Sequence, residues 1–242
     1  MSKNAVRTDA SAPQASYLAW KSWHAGGFGQ ATRGDARYFH WLVRRVGAGS
    51  ARSVLELGFG NGHFLGWARD QGWQVAGVEL QAPLLERAAA AGLPVWASLD
   101  DMPADARFDL IAAFDVLEHV PQDQLPALLV QLLAHLSPAG RLVLRVPNGE
   151  SPWGRVHQHG DLTHCTTLGV SKFRQLALPL GLEVDPVGEA PWHALQHAGR
   201  SPKNLLRALL RAAVARTLAF AYRWDARTLG PNLLVALRRS DG

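Results

Sequence analysis

The apolar positions of the chain fall into short runs divided by glycine and proline. Ser53–Leu57, Gln74–Leu80, Pro94–Ala97, Phe108–Phe114 and Arg141–Val146 read as strands. Phe108–Phe114 is almost continuously apolar, as a parallel strand buried on both faces should be. Between the strands the spacing turns helical. Phe64, Leu65 and Ala68 share a face of Asn61–Gln71, and Pro83 opens a helix that runs to Ala91 and stops at Gly92. Gln122–Leu136 is a further helix, with Ser137-Pro138-Ala139-Gly140 as its closing turn. Upstream, Gly26-Gly27-Phe28-Gly29 divides two short helices, the second near Asp35–Val46. Downstream come a Gly/His/Trp-rich loop (147–167), a helix near Val170–Leu180, a strand at Leu182–Val187, a long insertion and a last strand at Asn232–Arg238. Strands alternating with helices predict an α/β fold with a mostly parallel sheet of seven strands and helices on both faces. A ligand then belongs at the carboxyl ends of the strands, where the strand order reverses. The expected division is a tail and helical lid (1–50), a core (51–188), a basic helical insertion (189–231) and the last strand (232–242).

Composition narrows this further. With 242 residues, 48% of them hydrophobic, the chain can bury one sizeable core. A charged fraction of 19% is that of a folded protein. One cysteine, Cys165, excludes a disulfide framework and a cysteine-only metal cluster. No apolar run is long enough to span a bilayer, and the first residues lack the apolar segment of a secretory signal, so a cytoplasmic setting is expected. The net charge of +5 is uneven: residues 51–150 sum to −6 and residues 199–242 to +7. A basic end suits an anionic surface, or is simply a solvated helix face.

The most informative stretch is Glu56-Leu57-Gly58-Phe59-Gly60-Asn61-Gly62, between a strand and a helix. Glycines let the chain turn tightly and let backbone approach a ligand, and the amides at the helix start favour negative charge. The spacing G-x-G-x-G is not the dinucleotide fingerprint. Glu56 lies within the end of the first strand and Glu79 at the end of the second. An acid at the second position can hold ribose hydroxyls, and Glu56 in the same crevice suits a cationic ligand better than a pyrophosphate.

At these residues the chain resembles the class I S-adenosylmethionine-dependent methyltransferases. Val54–Gly62 looks like their first motif, which holds the methionyl part of S-adenosyl-L-methionine, and Glu79 matches their ribose-binding acid. Asp109–Val120 resembles the fourth motif, and Pro138–Leu144 the turn and strand that follow. The resemblance implies a Rossmann-like class I methyltransferase fold and cofactor contacts from Glu56, Gly58, Phe59, Gly60, Gly62, Glu79, Leu80, Ser98, Leu99 and Asp115. It departs from the family at Ser98, where an acid often meets the adenine amino group; the hydroxyl of Ser98 and the amide of Leu99 can take that place, or Asp100 after a shift.

Methyl transfer is an in-line displacement on an activated methyl, so alignment does much of the work; an alcohol acceptor also needs a base. Two clusters offer one. In Asp115-Val-Leu-Glu118-His119, Asp115 should face the cofactor, while Glu118 and His119 are assigned to capping and loop hydrogen bonds. In the loop after the fifth strand, Pro147–Pro152 and Gly160–His164 resemble stretches of a subset of methyltransferases associated with surface-polysaccharide and other glycan clusters. The resemblance points to His164 or Asp161 as the base, with His159 and His157 shaping the acceptor site. A hydroxyl of a saccharide or glycosylated small molecule is the acceptor it implies. The alternatives are a quinone, fatty acid or amine, or a scaffold that binds the cofactor without turnover. His157-x-His159-x-Asp161 alternates like a metallohydrolase ligand set, but His164 comes three residues after the aspartate, so no metal is assigned. No Asn/Asp-Pro-Pro-Tyr/Phe signature follows the fourth strand, so nucleic acid is not the expected substrate.

Two flanks remain. Tyr17, Trp20, Trp23, His24 and Phe28 read as a lid over the cofactor, or as ordinary packing on the sheet. Residues 203–227 are leucine-rich and basic, with Lys203, Arg207 and Arg211 on one side and Arg216, Arg223 and Arg227 opposite, so a break near Ala213–Ala215 or a twisted course is expected. Peripheral contact with an anionic membrane, a cap on the active site and a dimer face all fit this element.

Overall fold

The computed structural model describes residues 27–188 and 202–240. Its strands are β1 (Ser53–Leu57), β2 (Gln74–Val78), β3 (Val95–Trp96), β4 (Phe108–Phe114), β5 (Leu136–Pro147), β6 (Leu182–Pro186) and β7 (Asn232–Arg239). Its helices are α1 (Arg33–Arg45), α2 (His63–Asp70), α3 (Ala82–Ala90), α4 (Leu125–Ala134), α5 (Arg155–His159), α6 (Val170–Ala177) and α7 (Pro202–Tyr222). The seven strands form one sheet in the order β3-β2-β1-β4-β5-β7-β6. All pairings are parallel except those of β7, which runs antiparallel to both β5 and β6. Strand order reverses between β1 and β4, which places the ligand crevice there.

The period-two pattern of the strands builds both faces. Leu55, Ile111, Leu142 and Leu144 join Leu125, Leu129 and Leu132 of α4 and Phe173 of α6 in one core. Val54, Leu110, Ala112 and Val143, one residue out of phase, join Phe39 and Leu42 of α1, Phe64 of α2 and Leu84 of α3 in the other. Each large side chain buried in this way contributes about 1.5–3 kcal/mol. The helix ends follow local chemistry. Thr32 and Asp35 close a capping box on α1, and Gly62 enters α2 at φ +69°.

Several expected boundaries move. Ser137-Pro138-Ala139-Gly140 is not a closing turn: it lies within β5, where Phe108 pairs with Leu136 but Leu110 with Arg141. The ladder absorbs the Pro and Gly residues as an irregularity rather than ending there. α4 accordingly stops at Ala134. The loop after β5 contains the short α5. α7 is one continuous helix of 21 residues, without a break at Ala213–Ala215; alanine is the strongest helix former, so this stretch propagates the helix. Among the described residues no helix is long and apolar enough to cross a membrane. Of the expected lid, Tyr17, Trp20, Trp23 and His24 lie outside the described residues, as does the start of the insertion.

Candidate active site

β1 ends in a turn that only glycines can make. Gly58, Gly60 and Gly62 hold φ of +68°, +52° and +69°, a region that side chains disfavour. The turn is also crowded from outside. A Cβ on Gly58 would sit 2.5 Å from Val116 of the β4 loop, and one on Gly62 would sit 2.8 Å from the Phe28 ring. Phe28, the described part of the expected lid, thus covers the glycine turn and meets Phe59 edge to face. Phe59 itself is buried with its ring against Gly77, so its side chain belongs to the core.

Two buried acids flank this turn. Glu79, just past β2, accepts the Gly60 N–H at 3.1 Å on one oxygen and the Gln81 N–H at 3.0 Å on the other. Each oxygen keeps a second lone pair, enough to receive hydroxyls of a sugar. Glu56 is only 5% exposed. Burial pushes its carboxyl well above the ordinary glutamate value of 4.5. The Leu65 N–H and the Arg145 charge pull it down, and Glu79 pushes it further up. Its Oε2 has no hydrogen-bond partner among the described residues. A buried carboxylate with an open oxygen calls for a cation, and the donor implied by the glycine motif carries an ammonium and a sulfonium. The glycine turn, Glu56 and Glu79 therefore fit that donor.

The other positions expected to meet the cofactor are less uniform. Leu80 is exposed beyond β2. Ser98 donates its hydroxyl to Asp101 at 2.8 Å in a capping box, Leu99 is buried, and Asp100 accepts from Gln131. Asp115 is the sharper difference. It holds φ +58° and spends both carboxylate oxygens on Arg145, at 3.1 and 2.5 Å. Burial disfavours the Arg145 charge, but Asp115 and Tyr38 outweigh that and hold it above its ordinary value. No motif marks Arg145; its one signal in the sequence is an arginine in the middle of the apolar run Leu142–Val146.

The two clusters of candidate bases meet. His164 Nε2 lies 3.8 Å from Glu118 Oε1 and 3.7 Å from Asp161 Oδ2, with all three side chains nearly buried. The His164 Nδ1 lies 3.0 Å from the Gln158 carbonyl, which can only accept, so Nδ1 carries the proton and Nε2 faces the acids. The His119 ring stands edge to face with His164 at 4.7 Å and is held by Thr163, which also donates to Asp161. The Glu118 carbonyl accepts the Cys165 and Thr166 N–H groups, stitching the β4 loop to the β5 loop. Glu118 is thus part of the cluster and not merely a loop cap. His157 and His159 are exposed on α5, apart from it. The alternating set His157, His159 and Asp161 does not converge. Glu118, His119 and His164 do, with ligand atoms within 4.8 Å of one another, close enough to share a cation.

Comparison with known proteins agrees with this architecture. A curated relative, the ubiquinone biosynthesis O-methyltransferase of Xylella fastidiosa (strain M23), is 35% identical over 118 residues, covering 45% of this chain and 46% of the relative. The chain thus aligns with less than half the length of the curated relatives it matches. A crystal structure of an S-adenosylmethionine-dependent methyltransferase from Mesorhizobium loti superposes with a TM-score of 0.55 at 22% identity, covering 83% of this chain and 95% of the other. One from Archaeoglobus fulgidus gives 0.55 at 15% identity, covering 96% of each. The family described as "Methyltransferase domain" matches residues 31–187. From the glycine turn, the strand order and this match, the chain belongs to the methyltransferase-domain family, whose methyl donor is S-adenosyl-L-methionine.

Proposed function

We propose that the chain transfers a methyl group from S-adenosyl-L-methionine to a hydroxyl oxygen of a small acceptor, of the phenolic, quinone-ring class. The observation that carries this reading is His164 packed between Glu118 and Asp161 beyond β4 and β5. The donor supplies a methyl already activated by its sulfonium sulfur. The chain must hold the acceptor oxygen in line and take its proton. With Nδ1–H anchored on the Gln158 carbonyl, His164 Nε2 is the proton acceptor. The imidazolium that forms stands between two carboxylates, which stabilise it as it appears. Glu118 acts through His164 and is a positioning residue.

The acceptor class follows from proton chemistry. An ordinary phenol has a pKa of about 10 and an imidazole about 6.5, a gap of roughly 5 kcal/mol that an oriented base can bridge. A saccharide hydroxyl is far less acidic. The curated relatives' name, ubiquinone biosynthesis O-methyltransferase, supports the same choice. A saccharide acceptor is the second reading, resting on Pro147–Pro152 and Gly160–His164 alone. Labelled donor offered with catechol-type phenols, sugars and lipid-linked glycans decides between them. Phenol methylation is expected, and His164→Ala should lower it by about 10²–10⁴-fold. Turnover confined to sugars would overturn the acceptor class, and donor binding without any turnover would leave a scaffold.

A further inference from the structure

We infer that α7 is a docking surface for an anionic membrane. Within Pro202–Tyr222 there are four cationic and no acidic residues, and no described side chain is buried. At about 100° per residue, Leu205, Leu206, Leu209, Leu210, Val214 and Phe220 fall on one open arc. Leu209 is 59% exposed and Phe220 89%. The residues that turn partly inward are Ala212, Ala215, Leu218 and Ala219, on the opposite side. Lys203, Arg207 and Arg211 line the Val214 edge of the arc and the flank beyond it, and Arg216 falls within the arc between Leu205 and Leu209. The helix thus turns three alanines and Leu218 inward and presents leucines interspersed with cations.

Its exit adds a second feature. Tyr222 and Trp224 stack at 4.9 Å and are both exposed, an aromatic pair of the kind that settles at a water–lipid boundary. This surface matches an interface where apolar groups enter the acyl boundary and cationic heads stay with anionic lipid. The same surface on a second copy would set cation against cation. A nucleic acid would take the cations but leave the leucines in water. The segment that follows the helix is also tied to the loop after β5. Asn148 donates to the carbonyls of Thr228 and Gly230, and Ser151 to that of Leu229. A docked α7 therefore keeps the loop that carries His164 next to the lipid surface.

Flotation of the full chain with phosphatidylcholine vesicles, with and without phosphatidylglycerol, tests the docking without reference to acceptor or turnover. The protein should float with the anionic vesicles and be released by high salt. Replacing Lys203, Arg211 and Arg216 together by Gln should lower partitioning about a hundredfold, at about fivefold per charge. Leu209→Ser with Leu210→Ser should also weaken binding while leaving the salt dependence in place. Melting curves on the same variants confirm that they fold. Failure to float, or equal binding to neutral and anionic vesicles, overturns the inference. So does a concentration-dependent dimer of the wild type that the leucine variants abolish, since the surface would then belong to a second copy.

Discussion

Glu56→Gln should make the protein less sensitive to pH and worse at holding its methyl donor. The side chain is 5% exposed, accepts one backbone N–H from Leu65 and leaves Oε2 open. Burial raises its carboxyl above 4.5, so between 4.5 and its folded value the native state holds a proton that the unfolded chain has lost. Bound protons are then more numerous in the native state, and stability must fall as pH rises through that window. Below 4.5 both states are protonated and the penalty vanishes; above the folded value it is complete. The slope can reach about 1.4 kcal/mol per pH unit. The Gln variant keeps the shape and lacks the titration, so its stability minus that of wild type should grow with pH, whatever its fixed offset. With donor present the sign reverses. A hydrogen bond to a charged partner is worth about 1.5–3 kcal/mol, so the variant should bind S-adenosyl-L-methionine about 10–100-fold more weakly. Wild-type affinity should rise with pH while the variant's stays flat. Denaturant melts from about pH 5 to about pH 9 and calorimetry with the donor measure both effects. Parallel stability profiles, or equal donor affinity, would refute the reasoning.

Four further outcomes follow from the packing. Gly66→Ala would place a Cβ 1.7 Å from the Gly29 carbonyl oxygen; displacing that backbone should cost about 1–3 kcal/mol in a urea melt. His159→Ala should keep turnover near wild type, because His159 is exposed on α5, whereas Asp161→Asn should slow it at unchanged donor affinity. Asp115→Asn fits the same left-handed backbone but removes the charge opposite Arg145; for this half-exposed pair the loss in stability should be about 1 kcal/mol and should shrink in high salt. Asn148→Ala deletes two hydrogen bonds to the segment behind α7 and should destabilise by about 2 kcal/mol, with faster proteolysis of residues 223–231.

The strands were legible because their signal is local. Phe108–Phe114 and Leu182–Pro186 need only their own apolar pattern, and the glycine turn announces itself by residue type. The start of β5 is not legible in the sequence because Pro138 and Gly140 speak for a turn, and only pairing with β4 keeps them in the sheet. α7 is not legible as one helix because its cations fall on opposite sides of the wheel, yet its alanine-rich middle carries the helix through. The histidine–acid cluster is half visible in the sequence. His164 and Asp161 stood out within one loop, but their contact with Glu118 joins residues more than forty positions apart. Glu118 stands in the other cluster of candidate bases, but sequence joins it to that loop only through the β4 and β5 loops leaving adjacent strands on the same edge of the sheet. The Asp115–Arg145 pair is of the same kind, set by the register in which Phe114 lies beside Arg145.

The position of β7 between β5 and β6 bears on how the chain matures on the ribosome. Until residues 232–239 emerge, β6 has no neighbour to zip onto and β5 shows a bare edge, although the donor crevice between β1 and β4 is already encoded upstream. The nascent protein can therefore assemble the half that grips its cofactor while the other half still waits as an open seam, and that interval is when chaperones, or aggregation, would find it.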